Sequence, residues 1–124
     1  MEVRKLDQQD VYEAPDKALA QEWISPRNSR AETHSLALIT IPPGVRVDPH
    51  RHLACEEVYY VIGGEGEMYL DGEVTTLGPG DAVTILTGEV HSIKNVSTEP
   101  LTMHVVCVPA WSPEDQVFVE VTDF

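Results

Sequence analysis

An antiparallel all-β domain is the fold class this sequence predicts, and three observations carry the prediction. From about Ser35 onward, short apolar or alternating runs follow one another closely. Gly, Pro, Asn and Asp separate these runs at nearly every junction, as turns between strands require. No helical stretch long enough to connect parallel strands interrupts the series, which leaves a sandwich or a barrel.

Taken in order, "SLALITI" (35–41) reads as a strand stopped by Pro42, Pro43 and Gly44. "VRV" (45–47) follows, then Asp48-Pro49 and the polar stretch "HRHLACEE" (50–57). "EEVYYVIG" is the strongest β segment, with Val58 to Ile62 all β-branched or aromatic. "EMYL" and "EVTTL" flank Asp71-Gly72, the signature of a hairpin with a type I′ turn. "GPGD" turns into "AVTIL", "TGEV" into "HSIKNV", and "LTMHVVCV" supplies a further strand. Only "DKALAQEW" and "SPEDQVF" read as helical. Residues 1–34 form an extension expected to lie across a sheet, of this chain or of a second copy in a homodimer. Residues 35–124 form the β domain with its C-terminal tail.

The 124 residues carry 21 Asp and Glu against 8 Lys and Arg, a formal net charge of −13. Such a surface repels phosphate backbones and anionic lipid, so neither nucleic acid nor a membrane surface is an expected partner. The N-terminal residues lack the apolar core of a signal peptide, and no apolar run reaches membrane-spanning length. Two cysteines are too few for a disulfide scaffold, which favours a reducing, cytoplasmic setting.

The stretch from Pro49 to Glu57 carries the chemistry. Side chains two residues apart on a strand share a face, so His50, His52 and Glu56 line up if no bulge intervenes. Two imidazoles and a carboxylate on one face are most of a site for a divalent transition metal. His91, at the start of a later strand, could complete a set of three histidines and one glutamate if antiparallel pairing brings that strand alongside.

These residues resemble the two motifs of the cupin superfamily. The first, G-x5-H-x-H-x3-E-x6-G, reads here as Gly44, His50, His52, Glu56 and Gly63. The second, G-x5-P-x-G-x2-H-x3-N, reads as Gly80, Leu86 in place of Pro, Gly88, His91 and Asn95. The resemblance covers roughly Ser35 to Pro109. It implies a small jelly-roll barrel holding one divalent ion (Mn, Fe, Co, Ni, Cu or Zn) on His50, His52, Glu56 and His91. Four protein ligands on an octahedral ion leave two positions for water or a bidentate substrate.

The expected function is therefore that of a small metal-dependent enzyme, a dioxygenase, decarboxylase, lyase or isomerase, acting on a carboxylate, keto acid or sugar acid. The rival expectation is a non-catalytic module that binds or senses a small molecule. No catalytic residue is assigned. Tyr60 shares parity with Glu56, so it either lines the pocket or fills the core. Arg46 either faces the pocket to hold a substrate carboxylate or lies on the surface. His104, in an apolar strand, is left out of the site, and Cys55 is expected to pack outside the pocket. The basic loop at Arg27, Asn28 and Arg30 either rims an anion pocket or is solvated.

Overall fold

A computed structural model describes residues 1–124 and contains two antiparallel sheets that face each other. In chain order the strands are β1 (Tyr12–Glu13), β2 (Leu19–Ile24), β3 (Ser35–Ile41), β4 (His50–His52), β5 (Glu56–Gly63) and β6 (Gly66–Leu70). Then come β7 (Glu73–Leu77), β8 (Ala82–Ile85), β9 (His91–Lys94), β10 (Leu101–Val108) and β11 (Gln116–Phe118). One sheet runs β1-β2-β3-β10-β5-β8 and the other β11-β4-β9-β6-β7. Strands distant in sequence thus become neighbours, as in a jelly roll.

The turn chemistry is satisfied where the sequence predicts it. Asp71 and Gly72 have φ of 44° and 92°, the two positive values a type I′ hairpin requires. Gly64 closes the end of β5 at φ 77°, where an added Cβ would stand 2.3 Å from the Pro100 carbonyl oxygen. Only glycine fits there. Leu86, where the motif has proline, uses the amide that proline lacks: its N–H donates to Glu89 Oε1 at 2.6 Å.

Neither expected helix is an α-helix. "DKALAQEW" is rich in helix formers, but the open edge of β3 offers its backbone partners, and β2 pairs along it from Leu19 to Ile24. Tertiary pairing overrides weak local propensity. "SPEDQVF" makes one 3₁₀ turn at Pro113–Asp115 and then β11, whose Gln116 lies opposite His52.

The core lies between the sheets. Ile41, Val61, Ile85, Ile93, Leu101 and Met103 are buried there, with Met68 filling the far end. Asn95, the last residue of the second motif, is structural. Its amide donates to the Ile41 and Glu99 carbonyls while its oxygen accepts from Ser97, so a buried polar side chain is fully paired.

Candidate metal centre

Three histidines meet in the interior. His50 and His52 share the inner face of β4, as their spacing predicts, and antiparallel pairing sets His91 of β9 directly opposite His50. All three are buried to within 1% exposure. One nitrogen from each ring lies within 4.8 Å of the others. The His50 and His91 rings are 4.3 Å apart between centroids.

Backbone carbonyls fix how two of these rings are held. His50 Nδ1 donates to the Asp48 carbonyl at 2.7 Å, and His91 Nδ1 to the Glu89 carbonyl at 3.0 Å. A carbonyl only accepts, so each neutral ring carries its proton on Nδ1 and turns the Nε2 lone pair to the centre. His91 Nε2 is buried there without a hydrogen-bond partner. His52 presents Nε2 to the centre and Nδ1 to Asp115 Oδ2, 3.4 Å away.

The carboxylate that joins them is Glu57. Its Oε1 lies 3.2 Å from both His52 Nε2 and His91 Nε2. Neighbouring ligand atoms on one ion with bonds of about 2.1 Å stand about 3 Å apart, so these two contacts have the spacing of ligands on a divalent metal. Glu56, the residue expected from the sequence, is exposed and faces outward. The count fails because the chain bends at Leu53–Cys55 and crosses from one sheet to the other. Parity holds along a strand, not across such a break. The Glu-x6-Gly half of the motif fits again one residue on, as Glu57 and Gly64, with four residues in place of three after His52.

The same slip moves Tyr60 and replaces it. Tyr60 is 43% exposed on the outer face, stacked on His104, while Tyr59 points inward with its ring 6.0 Å from that of His91. His104 stays out of the site, against Trp23 and Tyr60. Arg46 lies away from the centre, where it donates to the Phe124 backbone oxygen at 2.7 Å. Cys55 is buried beside His52 and Asp115.

Three further residues went unread in the sequence because they come from the chain's two ends. Asp16 sits in the β1–β2 turn, with Oδ2 3.8 Å from His50 Nε2. Gln116 of β11 donates to that same oxygen at 3.1 Å. Asp115 holds the bend by accepting from the Ala54 and Cys55 amides.

Electrostatics follow from this packing. Burial pushes the Glu57 carboxyl up, but the His52 and His91 imidazoles beside it outweigh burial and hold the group well below the usual carboxylate range. Burial pushes His52 down, yet its contacts with Cys55 and Glu57 raise it to about 10 without metal. Burial and the neighbouring His91 lower His50. Burial and the Glu57 charge push the Tyr59 phenol well above its ordinary value, so it remains a hydrogen-bond donor.

A cavity leads out from Asp16, Glu57, Tyr59 and Gln116 between β1, β2, β3 and β10 to a mouth at Tyr12, Glu22 and Trp111. Its volume is about 50 Å³. Arg27 of the basic loop stands at this mouth, spent on both oxygens of Glu22 at 2.6 Å and on the Trp111 carbonyl.

Comparison with known proteins agrees with this fold. The cupin-domain family model matches residues 37–108. An uncharacterized protein of Methanocaldococcus jannaschii, MJ1618, is 31% identical over 116 residues, 94% of this chain and 93% of its own. An oxalate-binding protein of Thermotoga maritima is 33% identical over 72 residues, 58% of this chain and 60% of its own. Among solved structures, a predicted oxalate decarboxylase of Thermotoga maritima superposes with a TM-score of 0.77 at 23% identity, over 87% of this chain and 99% of that one. The nucleoside dehydratase Pac13 does so with a TM-score of 0.77 at 15% identity, over 97% and 92%. These superpositions show a shared barrel. With the family model spanning both histidine-bearing strands, the chain belongs to the cupin-domain family.

Proposed function

We propose that this protein is a metal-dependent enzyme, with one divalent transition metal held by His50, His52, Glu57 and His91, of which Glu57 also lines the cavity. The observation that carries the reading is the convergence of three buried imidazole nitrogens within 4.8 Å of one another, with Glu57 Oε1 3.2 Å from those of His52 and His91. When bound, such an ion supplies Lewis-acid polarisation of a substrate oxygen or, if redox-active, a site for dioxygen.

The chain's own residues do the rest. Asp48 and Glu89 orient two of the imidazoles through their carbonyls. Asp16, anchored by Gln116 and the Ala18 amide, holds a carboxylate beside His50 where it can accept a proton from a bound molecule. Tyr59 keeps its phenolic proton as a donor on the opposite wall. The apolar barrel lining excludes bulk water and strengthens each of these polar contacts.

A second reading, a binding module without turnover, is favoured by the likeness to an oxalate-binding protein. The two separate by mass spectrometry of metal-loaded protein incubated with keto acids, sugar acids, oxalate and phenols. A mass-changed product that disappears in His50→Ala supports the enzyme. Stoichiometric metal with unchanged ligands across the whole panel supports the module.

We further propose a homodimer through the outer face of the six-stranded sheet. Val58, Tyr60, Ile62, Val106 and Val108 are exposed together on β5 and β10 in a chain otherwise rich in acidic residues. A second copy would cover them. Light scattering on Val58→Asp should report a monomer where the parent is a dimer.

A further inference from the structure

The three inner histidines are not held alike, and the odd one faces a second set of donors. His50 and His91 each give Nδ1 to a backbone carbonyl, at 2.7 and 3.0 Å. His52 has no such carbonyl: its Nδ1 is buried and makes no hydrogen bond. The groups on that side of the ring are side chains with metal-binding atoms. Asp115 Oδ2 lies 3.4 Å from Nδ1, and Cys55 lies beside both residues.

The ligand atoms of His52, Cys55 and Asp115 all stand within 4.8 Å of one another. Bonds of about 2.0 to 2.1 Å to nitrogen and oxygen and about 2.3 Å to sulfur place the donors of a tetrahedral ion about 3.3 to 3.6 Å apart. The contact between Nδ1 and Oδ2 already has that spacing. One imidazole, one thiol and one carboxylate make a mixed set that suits a borderline-soft ion such as zinc or cobalt.

Asp115 is oriented for this role. Its oxygens accept from the Ala54 and Cys55 amides at 2.8 and 3.2 Å, which fixes the carboxylate beside the ring and leaves each oxygen a second lone pair. Its charged neighbour is His52, with no lysine or arginine to neutralise it. Cys107 stands apart from the set, its thiol turned to Glu57 Oε2 at 3.2 Å. The cover over the donors is thin. Leu53 and Ala54 of the bend are exposed, and the Asp115 side chain keeps 12% of its surface in solvent. An ion therefore arrives from the bend and not through the cavity, which neither Cys55 nor Asp115 lines.

We propose that His52 Nδ1, Cys55 Sγ and Asp115 Oδ2 form a second metal site for one thiophilic divalent ion, with the fourth position left to water. Binding releases the thiol proton and the ring proton to solvent. When the first centre is also filled, the His52 ring bridges the two ions. With three protein donors against four, the second site is the weaker and fills from added metal. It does not rest on the reading of the first centre, since Cys55 and Asp115 belong to this site alone.

Cobalt titration of the full chain tests it, followed by absorption with bound ions counted by equilibrium dialysis. A thiolate bound to cobalt absorbs strongly in the near ultraviolet, whereas imidazole and carboxylate ligands do not. In the parent the first equivalent should bind without that band and the second should bring it. Cys55→Ser should lose the band and one ion and keep the other, with Cys55→Ala as a second variant should the hydroxyl disturb the bend. Cys107→Ser should keep the band and both ions. His91→Ala should weaken the bandless ion and keep the band. No band in the parent under a large excess of cobalt overturns the proposal. So does a band that survives both Cys55 variants and disappears in Cys107→Ser. One ion without the band sinks this proposal and spares the first centre. One ion with a band that Cys55→Ser abolishes does the reverse.

Discussion

The inner face of β5 presents Glu57, Tyr59 and Val61, each buried to 5% exposure or less, whereas its outer face presents Glu56, Val58, Tyr60 and Ile62 to solvent. The two faces are similar in composition: a glutamate, a tyrosine and β-branched residues stand on each. Their surroundings differ. Glu57 meets two imidazoles and the Cys107 thiol, which donates to its Oε2 at 3.2 Å, while Glu56 meets water. The same residue types therefore carry chemistry on one face and an apolar patch on the other. One residue of register decides which glutamate faces the imidazoles.

The largest contrast is expected between histidines. His91→Ala should lower metal affinity at least about 100-fold, since it removes a ligand and not merely a support for one. His104→Ala, on the outer face of β10, should leave metal content unchanged. Metal titration monitored by calorimetry distinguishes them. Equal losses would mean that the inner cluster is not the binding site.

Next in size is the pair of tyrosines. Tyr59→Ala empties space beside His91 and should cost about 3–5 kcal/mol, as other buried aromatic truncations do. Tyr60→Ala, with its ring half in solvent, should cost about 1 kcal/mol. Urea unfolding of both variants checks the order.

The pH dependence sharpens the comparison further. Without metal, His52 is raised to about 10. A raised group contributes stability fully present below its unfolded value of about 6.5 and lost as pH rises through the folded value. Glu57 is depressed, so its contribution is present above about 4.3 and lost as pH falls. The metal-free protein should therefore lose thermal stability from about pH 6.5 towards 10, and Glu57→Gln should flatten that loss. Metal affinity should run the opposite way, rising with pH, because each imidazole must shed its proton to bind. Melting curves with and without a chelator read both slopes. Parallel slopes would contradict the assignment.

Much of this was legible in the chain. The strand run from Ser35, the Asp71-Gly72 hairpin and the pairing of His50 and His52 follow from periods and turns that act locally. His91 was legible because the second motif surrounds it. Glu57 was not, for a physical reason: the doublets Glu56-Glu57 and Gly63-Gly64 satisfy the motif's Glu-x6-Gly spacing twice. Only the bend at Leu53–Cys55, held by Asp115 from sixty residues away, selects the second. Asp16 and Gln116 carry no local signal either. Each reaches the centre through pairing of the chain's ends, β2 on β3 and β11 on β4, which no short window contains.

The most direct measurement is the metal content of the parent chain, Glu56→Ala and Glu57→Ala, purified alike and analysed by mass spectrometry of the elements. One divalent ion per chain in the parent and in Glu56→Ala, with most of it missing from Glu57→Ala, is the result this account predicts. Loss from Glu56→Ala with full retention in Glu57→Ala would contradict it.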